Sequence, residues 1–73
     1  MNLYGQMLAN ISEMAATKSA FETRLRAYHA MCEKEQWDGI EVSRFEVITA
    51  LEASLDAVAM TYRLIEQAKK HGC

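Results

Sequence analysis

Proline is absent from this chain and glycine occurs only three times in 73 residues. The backbone therefore has few places to break or reverse. Two cysteines, Cys32 and Cys73, are too few for a disulfide framework and read as free thiols. No apolar run approaches the roughly 18 residues that span a bilayer, and the N-terminus has no basic flank of the kind that opens a secretory signal. Excess positive charge is missing too. A formal net charge of -2 and a pI near 5.6 argue against a nucleic-acid binder held by phosphates and against a polybasic membrane patch. What is present is apolar content of 51% with 25% charged residues, the balance of a globular chain. The length sets a limit of one domain, residues 1–73, expected in the cytoplasm.

The most strongly patterned stretch is 42–70. Ile48, Leu51, Leu55, Val58, Tyr62 and Ile65 step by three and four, the helical period. Ala50, Ala53, Ala57, Met60 and Leu64 step the same way along a second stripe, while charge is confined to a narrow strip. A helix that is apolar on two sides is usually covered on two sides. The large-residue seam is expected to face the rest of the chain. The Ala50, Ala53, Ala57, Met60 and Leu64 seam is expected to bind a partner.

Ahead of it, residues 3–36 read as a first helix. Tyr4, Met7, Ile11, Met14, Lys18, Phe21, Leu25, Tyr28 and Cys32 keep a heptad rhythm broken only by Lys18. A rival reading breaks this helix at Thr17-Lys18-Ser19, since Ser19-Ala-Phe-Glu22 matches a capping box. The seam keeps its phase there, which favours one continuous helix. Trp37-Asp-Gly-Ile40 carries the turn, with Gly39 able to take the left-handed conformation. Ser43-Arg-Phe-Glu46 fits a second capping box, placing the second helix at 43–70, and Gly72 can end it. The expected fold is all-α, an antiparallel two-helix hairpin resembling a coiled coil. With the turn near residue 40, Leu25 would lie level with Leu55 and Lys18 with Tyr62. On this arrangement Leu55→Asp unfolds the hairpin, whereas Met60→Asp keeps helicity and abolishes association.

Catalytic signals are weak. His29-x-x-Cys32 and His71-Gly-Cys73 supply zinc-type ligands, but a hairpin holds the two pairs at opposite ends. Glu13, Glu22, Glu52 and Asp56 read as solvated helix faces, and nothing resembles a phosphate loop. No metal, cofactor or enzymatic activity is expected.

One resemblance is more concrete. Ala30-Met-Cys32 near the end of the first helix, Gly39 in a short turn, Phe45, the Leu55-Asp56 step and Leu51-Glu-Ala53 make residues 25–65 similar to the small helical-hairpin co-chaperones of type III secretion needle subunits. The resemblance implies a non-catalytic protein that binds a helical-repeat chaperone of the tetratricopeptide type and, through it, a needle subunit. The chain departs from that family in its uncharged residues 1–12 and in its load of methionine and tyrosine. The alternative is a homodimeric four-helix bundle, a small regulator of phage or plasmid type.

Overall fold

The computed structural model describes residues 2–71 and consists of two helices packed against each other: α1, Leu3–Glu33, and α2, Ile40–His71. Together they make a rod of 56 × 16 × 14 Å. The all-α hairpin expected from the sequence is the observed architecture.

The first helix starts on a side-chain cap. The Gly5 amide donates to Asn2 Oδ1 at 3.0 Å, and the Gln6 amide donates to the Asn2 carbonyl. A β-carbon at Gly5 would come within 3.1–3.2 Å of the Asn2 side chain, so glycine gives that cap its room. α1 then runs without a break through Thr17-Lys18-Ser19. The Thr17 hydroxyl donates to the Glu13 carbonyl one turn back, so the polar stretch is absorbed within the helix.

α1 ends three residues earlier than the sequence suggested, and the reason is a backbone motif. The Gln36 amide donates to the Met31 carbonyl and the Glu35 amide to the Cys32 carbonyl, with Glu35 left-handed at φ 53°. This pair of bonds is a Schellman closure, with glutamate where glycine is usual. A side chain in that region costs about 1–2 kcal/mol. Glu35→Gly is therefore expected to stabilise the chain by about 0.5–1 kcal/mol, after allowing for glycine's freer unfolded state. A thermal melt would read this as a rise of about 4 °C or a little more. A fall instead would mean that the Glu35 side chain makes a compensating contact.

α2 begins at Ile40, not at Ser43. Gly39 takes φ +79° and its carbonyl accepts from the Ser43 amide at 3.1 Å, so Ser43 lies inside the first turn and does not cap it. Lys69, Lys70 and His71 complement the dipole at the far end. The expected stop at Gly72 lies outside the described residues.

The seam between the helices is regular. On α1 it comprises Leu3, Met7, Asn10, Met14, Thr17, Phe21, Tyr28 and Met31, and on α2 Ile40, Ser43, Val47, Ala50, Ser54, Ala57, Thr61, Leu64 and Ala68. Both follow steps of three and four, with Arg24 filling the one position missing from α1. Arg24 pairs instead with Glu46 across the seam. Large side chains on α1 thus meet mostly small ones on α2, which lets the helices approach closely.

Two expectations are corrected here. Met7, Met14, Phe21 and Tyr28 lie in the seam as read, but Tyr4, Ile11, Lys18 and Leu25 do not. Those places go to residues one position earlier, among them Asn10 and Thr17. On α2, Ile48, Leu51, Leu55, Val58, Tyr62 and Ile65 are all exposed. Again the residue one position earlier faces inward. The alignment also shifts. Asn10 bonds to Ala57 and Thr61, and Arg24 to Glu46, so Leu25 is level with the residues beside Glu46 and not with Leu55. The earlier end of α1 and the earlier start of α2 account for the shift.

Candidate protein-docking site

The seam divides the surface into two sides. Gln6, Ala9 and Glu13 of α1 come together with Ala53, Asp56 and Met60 of α2 around one open groove of about 550 Å³. Each of these residues sits one position before a seam residue. Tyr4, Leu8 and Ile11 of α1, and Ile48, Leu51, Leu55, Val58, Tyr62 and Ile65 of α2, each sit one position after a seam residue. A step of one residue turns a helix by about 100°. Positions before the seam share one side on both helices, so positions after it share the opposite side. The second side is a ridge of nine large apolar residues in two parallel rows, all exposed.

The five residues singled out as a partner seam divide between the core and the groove. Ala57 and Leu64 are the most buried apolar residues described, 5% and 4% exposed, and are covered by α1. Ala50 is half-buried in the same seam, while Ala53 and Met60 stand at the groove wall. The apolar row left uncovered is therefore the one assigned to the interior from sequence. The expected effect of Leu55→Asp changes accordingly, because Leu55 does not lie in the seam, and the loss of association moves from Met60 to the ridge.

The floor of the groove carries a polar network that the sequence reading missed. Asn10 is 7% exposed. Its Nδ2 donates to the Ala57 carbonyl at 3.0 Å, and its Oδ1 accepts from the Thr61 hydroxyl at 2.5 Å. The Met14 sulfur lies 3.0 Å from the same hydroxyl. No described buried side-chain nitrogen or oxygen lacks a partner. The signal was available: positions 3, 7, 10, 14, 17 and 21 keep a heptad phase as strict as the one chosen, with Asn10 and Thr17 as its polar members.

The groove's chemistry is limited. Glu13 and Asp56 stand at its walls with no nucleophile and base arranged between them. His29 Nδ1 lies 2.8 Å from Glu33 Oε1, Cys32 is a half-buried free thiol, and Cys73 lies outside the described residues. Among the described residues there is no group of three or more histidine, cysteine or acidic side chains placed to hold a metal ion, and no helix is long and apolar enough to cross a membrane.

Set beside known proteins, the chain matches no family model, no curated protein and no solved structure.

Proposed function

We propose that this chain is a non-enzymatic protein-binding module, a hairpin adaptor of the co-chaperone kind, which docks on a larger helical protein through its apolar ridge. The observation that carries this reading is the uncovered row of large residues on α2, with Leu55 at 58% and Tyr62 at 68% exposure. Contiguous apolar patches of this breadth on small proteins mark interaction surfaces. The two rows stand where side chains of a second helical layer can settle between them, the packing used by helix bundles.

The likeness of residues 25–65 to needle-subunit co-chaperones supports a helical-repeat chaperone of the tetratricopeptide type as the partner, with a needle subunit bound through it in the cytoplasm. The physical role is mutual covering. The hairpin buries its own ridge and shields apolar surface on the chaperone, so the complex stays soluble where either component alone is prone to self-associate.

The test is affinity capture of the tagged chain from its native cytosol, followed by mass spectrometry. Recovery of a helical-repeat chaperone is expected with the natural sequence and with Met60→Asp, and at least tenfold less with Leu55→Asp. Loss with Met60→Asp instead would move the partner to the groove. Recovery of no helical-repeat protein would overturn the reading.

A further inference from the structure

We propose that, when no other protein occupies the ridge, a second copy of this chain does, giving a twofold-symmetric four-helix bundle. This rests on reading the ridge as a docking face, and it names what occupies that face in the isolated protein.

Area is the first argument. The chain exposes 5769 Å² for a mass of 8.3 kDa. A compact monomer of that mass exposes about 4,600 Å², leaving an excess of roughly 1,200 Å². The excess follows from the rod shape, and laying a second rod alongside is the packing that removes it. A standard stable interface takes about 800 Å² from each partner, which is less than this excess.

The core gives the second argument. No described side chain is fully buried, and only Ala57 and Leu64 are apolar residues closed off from water. Domains of this size commonly need an added source of stability such as oligomerisation. A twin is the one cover always present at the chain's own concentration.

Charge gives the third. A twofold contact sets a surface against itself, so a ridge bordered by one sign of charge would repel its copy. The residues one turn from the ridge carry both signs: Arg44 and Glu52 flank Ile48, and Glu66 follows Tyr62; farther along α1, beyond Ile11, Lys18 and Glu22 again supply one of each sign. The ridge rows themselves hold no charge from Leu51 through Ile65 on α2.

The experiment is sedimentation equilibrium and thermal melting of the full chain, from micromolar to hundreds of micromolar. The expected result is a mass approaching twice 8.3 kDa as concentration rises, with a melting temperature that climbs alongside. Leu55→Asp is expected to give the single-chain mass throughout. Tyr62→Lys, at a more exposed site, serves the same purpose should Leu55→Asp fail to fold. A single-chain mass and a concentration-independent melting temperature for the natural sequence would overturn the proposal. So would a dimer unchanged by both substitutions. A monomer that still captured a helical-repeat chaperone through Leu55 would sink the twin alone. A ridge-dependent dimer that captured nothing would support the twin and sink the co-chaperone reading.

Discussion

Leu64→Asp is expected to abolish the folded hairpin. Leu64 is 4% exposed and sits in the seam under α1. The substitution removes a buried aliphatic side chain, a loss of about 2–5 kcal/mol. It also places a carboxylate at a buried position, adding a penalty of several kcal/mol unless the chain opens to hydrate it. Folded domains hold only about 5–15 kcal/mol in total, and a two-helix rod belongs at the low end. The measurement is far-UV circular dichroism through a melt, with the cooperative transition expected to vanish at neutral pH. Leu55→Asp is the matched control. The same change at a position 58% exposed leaves the carboxylate in water. It is expected to keep the helical signal and lose only what a second layer contributes. Equal unfolding of both variants at every chain concentration would mean that the ridge lies inside as well as the seam.

Asn10→Asp is expected to lower stability by about 3 kcal/mol at neutral pH. The two side chains have the same shape, so packing is preserved and only the hydrogen bonding changes. Asn10 Nδ2 now donates to the Ala57 carbonyl at 3.0 Å. A carboxylate oxygen there sets two acceptors against each other at a side chain only 7% exposed. The expected fall in melting temperature is about 12 °C or more. Protonation should reverse it. Burial against a carbonyl raises the folded-state pKa of the introduced carboxyl above its unfolded value. The destabilisation is therefore complete above the folded pKa and disappears as pH falls below the unfolded value near 4. Melting the natural chain and the variant side by side from neutral to acid pH checks this, with the gap between them closing. Asn10→Leu separates polarity from space. It should be much milder, because the Thr61 hydroxyl can then donate to the Ala57 carbonyl, 3.1 Å away. A pH-independent gap for Asn10→Asp would remove the buried network from the account of stability.

The hairpin itself was legible in the sequence because its signals are periodic and local. Two long runs in steps of three and four, no proline, and Asp38-Gly39 between them leave little else for the chain to form. The continuity of α1 followed from the unbroken phase through Lys18. Which face turns inward was not legible, and the reason is size. Each helix carries adjacent stripes one residue apart, and the period alone does not choose between them. The bulky stripe of Ile48, Leu55 and Tyr62 reads as the stronger core. The structure fills the seam of α2 largely with Ala50, Ser54, Ala57 and Thr61, because Met14 and Phe21 from α1 already occupy the space between the helices. Asn10 was passed over for Ile11 on the same hydropathic ground. Its place depends on the Ala57 carbonyl across the seam, a contact between residues 47 positions apart that no local pattern encodes. The end of α1 was missed for a different reason: a glutamate stands where the closing motif ordinarily has glycine.

The small-residue stripe of α2 also bears on alignment. Ala50 with Ser54 and Ala57 with Thr61 repeat one pattern seven residues apart, a carbonyl followed one turn later by a hydroxyl. To α1 these are two similar seats, roughly 10 Å apart along the axis. A track with repeating marks does not by itself say where the sliding partner must stop. That information comes from the connection, where the bonds from Gln36 to Met31 and from Ser43 to Gly39 clamp both helix ends at fixed residues. The short link at residues 34–39 thus acts as the stop of a slide rule, and Asn10 reads the one mark it permits.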